Sequence, residues 1–160
     1  MWVVIEFARY IAPNSLTFIM ALSYYPSIGE IVLCDYRGFI EPEMIKTRPV
    51  VVVSPRLRRR GNLIGVVPLS TTAPKPAEAY HCLIQLDNPL PAPFDNPIMW
   101  AKCDMYSVVA MQRLDRFKEA KQRHGGARQW RVGRANTLQI AALKKGILCG
   151  LGFDSLTIHL

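Results

Sequence analysis

Arg48 is the residue whose type and position point most directly to chemistry. It stands before Pro49 and a run of four valines, 50–53, which is closed by Pro55. A proline restricts the preceding residue to extended backbone, and consecutive β-branched residues predict a strand buried on both faces. A permanently charged guanidinium is therefore expected at the mouth of a rigid strand. Such a group is well suited to bind a phosphate.

The charge of the chain is unbalanced. Its 160 residues contain 20 Lys and Arg against 12 Asp and Glu, a formal net charge of +8. Eighteen of the twenty basic residues follow Met44, so the charge belongs to the body of the chain and not to an N-terminal arm. The length and the hydrophobic fraction of 50% are typical of one soluble globular domain. Excess positive charge on such a domain predicts an anionic partner.

The cysteines do not form a metal-binding pattern. The chain has no CxxC pair and no histidine at zinc-ligand spacing from any of its four cysteines, which are Cys34, Cys82, Cys103 and Cys149. We therefore expect no metal and no cofactor. Reduced, mostly buried thiols, as in cytoplasmic proteins, are favoured over disulfides.

Residues 1–27 are predicted to be an N-terminal extension of a domain at 28–160. The apolar stretch 1–19 is interrupted by Glu6 and Arg9, which argues against a membrane span, and it lacks a clear signal-peptide pattern. Two interpretations stay open. Residues 1–19 could come from an upstream start codon, with Met20 as the true start, or they could form an extra helix that packs on the domain. Under the first, deletion of 1–19 leaves fold and activity intact.

Short apolar segments separated by glycine- and proline-rich turns predict a β-domain. The segments are 29–36, 48–53, 63–69, 80–86 and 98–104. Short strands at this spacing predict a small closed or half-closed antiparallel barrel. The tail adds one helix, for which Asn136 and Gln139 provide a capping box. The predicted class is therefore mainly β, with a C-terminal helix.

Four segments, taken in order, resemble the signatures of the MazF/PemK family of toxins. The first three are GEIVLCDY at 29–36, RPVVVVSP at 48–55 and VVPLST at 66–71, and KCD at 102–104 is similar to the basic-Cys-Asp segment of the PemK (Kid) branch. The resemblance covers about residues 29–114. It implies a small SH3-like antiparallel barrel of the PemK/MazF/CcdB type, a homodimer, and a metal-independent, sequence-selective endoribonuclease.

The resemblance also implies roles for individual residues. Cleavage of RNA without a metal requires removal of the 2′-OH proton, stabilisation of charge on the phosphate and protonation of the leaving oxygen. Arg48 matches the family's catalytic arginine and suits charge stabilisation, because arginine is a poor base. Ser70 matches the catalytic threonine, and since Thr71 follows it, either hydroxyl could act. Asp104 matches the aspartate that serves as general base in the PemK branch.

Each of these residues also has a purely structural interpretation. Arg48 could be a surface residue that pairs with Glu43 or Asp35. The Ser70 hydroxyl could satisfy a turn, and Asp104 could form a salt bridge that merely positions Arg48.

Contacts with RNA are predicted at charged loops and strand ends. Glu43 lies at the offset of a loop glutamate in the family, and the remaining candidates are Lys46, Arg56, Arg58, Arg59, Arg60 and Lys102. Lys102 stands where the family carries arginine, and it can hold a phosphate only as a point charge. The basic segment 113–134 could read RNA or dock a partner. His81 is interpreted as a half-buried strand histidine rather than a catalyst.

The sequence thus predicts a cytoplasmic, homodimeric endoribonuclease toxin of a type II toxin-antitoxin system. It would cleave single-stranded RNA, including mRNA, in a groove that crosses the dimer interface, and a cognate antitoxin would neutralise it; no membrane association is expected. The alternative is a non-catalytic toxin or regulator of the same fold, which binds operator DNA with its antitoxin or targets a gyrase. A third possibility is a relic that binds RNA without cutting it. The presence of Arg48, Ser70 and Asp104 together favours the nuclease.

Overall fold

The computed structural model of the chain describes residues 22–119 and 129–160. Within these ranges the chain forms ten strands and one α-helix. The helix is α1 (Thr137–Gly150), and the strands are β1 (Glu30–Cys34), β2 (Arg48–Val52), β3 (Leu63–Ser70), β4 (His81–Gln85), β5 (Ile98–Lys102), β6 (Ser107–Ala110), β7 (Leu114–Asp115), β8 (Phe117–Lys118), β9 (Trp130–Arg131) and β10 (Gly133–Arg134). Both interpretations of residues 1–19, and part of the basic segment 113–134, fall outside the described residues.

The main sheet is antiparallel and has the strand order β10-β1-β2-β3-β5-β4, with β6 also paired to β3 and β7 to β1. The five predicted strands are all present, and the predicted class, mainly β with a C-terminal helix, is confirmed. In the described part of the chain no strand pair joins β10 to β4, so the sheet path stays open and closure of the predicted barrel is not observed.

The sheet is apolar on both sides, as the valine run predicts. Val50, Val51 and Val52 are all fully buried. Val50 and Val52 pack on one side with Val32, Cys34, Ile64 and Val66, whereas Val51 packs on the other with Ile31, Val67 and Leu69. Side chains alternate along a strand, so Arg48 lies on the side of Val50. We call this side the Arg48 face and the opposite side, to which Leu33 belongs, the Leu33 face.

The C-terminal helix packs against the strand ends that carry the site. Its capping box is confirmed: Asn136 Oδ1 accepts from the Gln139 N–H at 2.9 Å, and Gln139 Oε1 accepts from the Asn136 N–H at 2.8 Å. The helix approaches closely at two glycines one turn apart. A Cβ on Gly146 would lie 2.8 Å from Cys103 Sγ, and a Cβ on Gly150 would lie 3.0 Å from Asp104 Cα. Because these two glycines have no side chain, α1 can pack directly against residues 103–104 and support their backbone.

The cysteines are free thiols, as predicted. Cys34, Cys82 and Cys103 are buried and Cys149 is half-buried. The sulfur atoms of Cys82 and Cys103 are 3.8 Å apart beneath α1. Burial raises the pKa of Cys34 to about 12, so its thiol stays protonated at neutral pH.

Contacts with the sheet begin before residue 28. Leu22 is buried against the Arg48 face, and its N–H donates to the carbonyl of Leu114 at 3.2 Å. Among the described residues, no helix is long and apolar enough to cross a membrane.

Candidate functional site

Arg48 is the first residue of β2, where it pairs with Cys34 of β1. It is half-buried, and its Nε is buried without a hydrogen-bond partner among the described residues. A buried N–H of this kind is costly unless a ligand satisfies it. The rigid position and the unsatisfied donor make Arg48 a suitable phosphate-binding group.

The proposed structural partners of Arg48 are engaged elsewhere. Arg37 holds Asp35 by an ion pair of 2.6 Å, and this contact keeps the pKa of Asp35 below its usual range. Glu43 Oε2 accepts from the Ile40 N–H at 2.7 Å. Among the described residues Arg48 forms no ion pair, with these carboxylates or with any other. A purely structural interpretation of this arginine therefore lacks support.

Ser70 ends β3 on the same side of the sheet. The antiparallel register of β2 with β3, continued past its last bonded pair, brings Arg48 opposite Ser70. Ser70 is 7% exposed, and its Oγ accepts from the Thr72 N–H at 3.2 Å, which leaves its own proton free to donate. Thr71 is exposed and follows the end of the strand. The geometry therefore favours Ser70 over Thr71 as the hydroxyl beside Arg48.

Asp104 lies in a short 3₁₀ turn, Cys103–Met105, directly after β5. This turn contacts β3, β4 and α1. Its carboxylate is 39% exposed, and Oδ1 lies 4.0 Å from His81 Nε2. The predicted alternative for Asp104, a salt bridge to Arg48, is absent among the described residues; the basic side chain beside it is that of His81.

His81 is a half-buried strand histidine, as predicted, but sequence reasoning missed its position beside Asp104. Its side chain is only 10% exposed, and Nδ1 accepts from the Glu78 N–H at 3.0 Å. In the neutral ring the proton is thereby assigned to Nε2, which faces Asp104. His81 pairs directly with Lys102, two residues before Asp104. An antiparallel alignment of the two predicted strands would have indicated that His81 lies near Asp104.

Lys102 belongs to the same face. Ser70 pairs with Trp100, and Lys102 is two residues further along β5, so the three side chains share one side of the sheet. Lys102 is half-buried. The site thus contains two cations, Lys102 and Arg48, on the same side as the Ser70 hydroxyl.

A loop lies between Arg48 and Asp104. Pro42, Glu43 and Met44 line a cavity of about 300 Å³ that also contains Asp104, and they line a second cavity of about 500 Å³ that contains Lys46 and Arg48. Tyr36 lies in the wall of the first cavity. Burial raises the pKa of Tyr36, so its hydroxyl remains protonated and does not act as a base.

The arginine run 56–60 is not brought to this site. These residues are exposed in the loop between β2 and β3, at the opposite end of β2 from Arg48. Five strand residues separate the two ends, roughly 17 Å. Within one protomer, Arg56, Arg58, Arg59 and Arg60 therefore form a separate basic surface.

Comparisons with known proteins identify the family and the fold. Residues 27–147 match the family model described as PemK-like, MazF-like toxin of type II toxin-antitoxin system. The chain is 38% identical to YifN, an uncharacterized protein of Escherichia coli (strain K12), over 62% of this chain and 78% of that protein.

Two solved structures show the same fold. MazF from Deinococcus radiodurans superposes with a TM-score of 0.55 at 17% identity, over 81% of this chain and 98% of that one. An endoribonuclease in complex with its cognate antitoxin, from a mycobacterial species, gives a TM-score of 0.53 at 16% identity, over 79% of this chain and 95% of that one. The family model covers most of the chain and the fold agrees with it. The chain therefore belongs to the PemK-like, MazF-like toxins of type II toxin-antitoxin systems.

Proposed function

We propose that this protein is a metal-independent endoribonuclease toxin that cleaves single-stranded RNA and thereby inhibits translation and growth. The observation that carries the proposal is the arrangement on the Arg48 face. An arginine with an unsatisfied buried donor lies opposite a serine hydroxyl, and an aspartate follows on the adjacent strand end.

The proposed reaction is attack of the ribose 2′-oxygen on the adjacent phosphorus. Asp104 accepts the 2′-OH proton, the new P–O bond forms as the bond to the 5′-oxygen breaks, and the 5′-oxygen takes up a proton from water at the open side of the cavity. The products are a 2′,3′-cyclic phosphate and a 5′-hydroxyl. No metal is required by this sequence of bond changes.

Arg48 and Ser70 are proposed to stabilise the charge that develops on the phosphate. The guanidinium offers two or more N–H donors in a fixed plane, which fits a phosphate better than a point charge does. The Ser70 hydroxyl can donate to a phosphate oxygen. Donors fixed before the reaction are effective because they need no rearrangement in the transition state.

His81 is proposed to hold Asp104 in place. Its Nε2–H faces the carboxylate at 4.0 Å, and its other nitrogen is fixed by the backbone of Glu78. The carboxylate remains partly exposed, so substrate can reach it. His81 is a positioning residue in this scheme, because it acts through Asp104.

The biological setting follows from the family as a proposal. We propose a cognate antitoxin as protein partner, a two-fold homodimer as the active assembly, and the cytoplasm, where mRNA is found, as the location. Lys46, Lys102 and the basic surface 56–60 are proposed to attract the RNA backbone. Added salt should then weaken binding steeply, because phosphate neutralisation releases counterions.

The proposal is tested by incubating the purified protein with a mixed single-stranded RNA in excess EDTA, and by mapping the product ends. We expect cleavage with 2′,3′-cyclic phosphate ends, and no cleavage of the DNA of the same sequence, which lacks the 2′-OH. If DNA is bound but RNA is left intact, the non-catalytic alternative, an operator- or gyrase-binding toxin, replaces the nuclease.

A further inference from the structure

A second cavity lies on the opposite face of the sheet from Arg48. Its volume is about 380 Å³, and its walls come from the end of β1, the loop 91–94 and the segment 113–118. Leu33 and Asp115, which pair with each other, place it on the Leu33 face. Thr47 also lines it, and Thr47 is the direct neighbour of Arg48. The cavity and the candidate catalytic site therefore flank the same end of the β1–β2 pair.

The walls of this cavity are aromatic and apolar. Phe94 packs edge-on against Phe117 with ring centroids 6.1 Å apart, and Pro91 and Pro93 complete the side formed by the loop. Cavities of this volume with aromatic walls suit a small planar group such as a nucleobase.

The rim is positively charged. Four cations and two carboxylates line the cavity, a balance of +2; they are Arg37, Arg113, Arg116, Lys118, Asp35 and Asp115. Arg116 and Lys118 both lie over the ring of Trp130, at 5.1 and 5.4 Å from its centroid. The Nε of Arg116 is buried without a hydrogen-bond partner among the described residues. Such a rim favours an anionic ligand.

The two carboxylates differ in how they are satisfied. Arg37 donates to both oxygens of Asp35, which completes that group. Asp115 is 6% exposed, and in the hydrogen bonds of the described residues only its Oδ1 accepts, from the Arg116 N–H at 2.7 Å. Burial raises the pKa of Asp115, as expected for a carboxylate that lacks donors. The remaining acceptor sites of the Asp115 carboxylate are thus available to N–H donors of a ligand.

We propose that this cavity binds a guanine base of the RNA strand, next to the scissile phosphate, with Asp115 accepting from the N1–H and N2–H groups of the base. The inference rests on the proposed function. Guanine presents two adjacent N–H donors on one edge, which matches the free acceptor sites of a carboxylate. A nucleotide also supplies the phosphate that the cationic rim requires. An acidic peptide would meet the rim equally well but would be repelled by Asp115.

The first test uses guanosine 5′-monophosphate and inosine 5′-monophosphate, which differ only in the 2-amino group. Binding is measured by NMR titration of the full chain, so it is independent of RNA cleavage. We expect the guanine nucleotide to bind about tenfold more tightly, since a bidentate contact to a base typically gives discrimination of this order. Asp115→Asn should reduce the ratio of the two affinities to about one. The control is Asp95→Asn, at an exposed position next to the loop 91–94, which should leave this ratio unchanged.

Phe94→Leu provides a second variant that separates the aromatic wall from the specificity. It should weaken the binding of both nucleotides and leave the ratio of their affinities unchanged, because the Asp115 carboxylate is still present. Thermal unfolding of both variants verifies that the fold is retained. Equal affinity for the two nucleotides in the wild-type protein would overturn the proposal.

The second test cleaves a random single-stranded RNA library and sequences the products. We expect guanine enriched at one fixed offset from the cut in the wild type and not in Asp115→Asn. Cleavage without guanine enrichment overturns this proposal but leaves the nuclease intact. Guanine-selective nucleotide binding without RNA cleavage would show that the cavity holds a free guanine nucleotide, and both its role in RNA selection and the proposed function would then be wrong.

Discussion

At the scale of single residues, the surroundings of Asp104 support the proposed role of its carboxylate as general base. Among the described residues Asp104 forms no ion pair with a lysine or an arginine, and it borders a cavity together with aromatic residues of the 36–44 segment. A carboxylate that served only to position Arg48 would contact it. Asp104 instead lies at a cavity with its carboxylate partly exposed, as the proposed reaction requires.

Asp104→Asn should lower the rate of RNA cleavage by about a hundred- to ten-thousand-fold, the usual contribution of a positioned general base. The melting temperature should change little, because the side chain is 39% exposed. Single-turnover kinetics on a fixed RNA measure the effect, with the exposed Asp87→Asn as matched control. A loss of less than threefold would show that Asp104 is not the base.

Asp35 and Asp115 should affect the pH dependence of stability in opposite directions. Arg37 lowers the pKa of Asp35, so the stability that Asp35 contributes is present above its unfolded pKa of about 3.9 and is lost as pH falls through the folded value. Burial raises the pKa of Asp115, so the unfolded state loses its proton first and stability falls as pH rises from about 3.9 through the folded value.

The measurement for this pair is thermal unfolding of two asparagine variants between pH 3 and pH 8. Asp35→Asn should be less stable than wild type at pH 7, and the difference should shrink on acidification. Asp115→Asn should be more stable than wild type at pH 7, and this difference should also shrink toward low pH. Differences of the same sign at pH 7 would contradict the assigned surroundings of one of the two carboxylates.

At the scale of elements, α1 determines where the Asp104 turn sits. Gly146→Ala would place a methyl group 2.8 Å from Cys103 Sγ and 2.9 Å from Cys82 Sγ. Overpacking of this kind costs about 1–3 kcal/mol, which outweighs the gain of about 1 kcal/mol in helix propensity. We expect a net loss of about 1 kcal/mol in the free energy of unfolding by urea titration. The control, Lys145→Ala on the exposed side, should stay within about 0.5 kcal/mol of wild type; if Gly146→Ala is stabilising, the close packing described for α1 is wrong.

Much of the architecture could be predicted from sequence because it depends on local patterns. The valine run, the punctuating prolines and the capping box each act over a few residues, and the structure confirms the strands and the helix they predict. The resemblance to the family indicated an SH3-like antiparallel barrel; the antiparallel sheet is present, and closure of the barrel is not observed in the described part of the chain. Each strand and the helix are therefore determined by residues that are neighbours in the sequence.

The remaining features depend on contacts between distant segments. His81 comes beside Asp104 only through the pairing of β4 with β5. The cavity proposed to bind guanine joins the end of β1 to the loop 91–94 and to β8. The strands β7 to β10 have two residues each, too few for a recognisable sequence pattern. The choice of Ser70 over Thr71 likewise required the register of β2 with β3. Sequence alone could not supply these pairings.

At the scale of the whole molecule, the C-terminal end presents an unusual number of apolar side chains to solvent. Those of the helix and the segment after it include Leu138, Leu151, Phe153, Leu156 and Ile158, all at least 48% exposed. Exposed apolar groups on this scale are typical of an interaction surface. They support the proposed assembly into a two-fold dimer, in which the same patch meets itself.

Multi-angle light scattering at micromolar concentration in moderate salt should therefore give about twice the chain mass of 18.1 kDa. Ile158→Glu, at a position that is 80% exposed, should shift the mass toward the monomer. Lys144→Glu, on the exposed side of α1, is the control for added negative charge. A monomeric wild-type protein under these conditions would contradict the dimer.

The central claim is that the Arg48 face cleaves RNA without a metal, and a comparison of two arginines tests it most directly. Arg48→Ala and Arg58→Ala remove the same side chain, at the start of β2 and in the loop that follows β2, so both lose one charge from a total of +8. The measurement is single-turnover cleavage of one RNA in EDTA at saturating protein, with melting temperatures recorded alongside. We predict that Arg48→Ala lowers the rate of RNA cleavage by about a hundred- to a thousand-fold or more, whereas Arg58→Ala cleaves at nearly the wild-type rate. Equal cleavage by Arg48→Ala and wild type, or cleavage that only an added metal restores, would contradict the account.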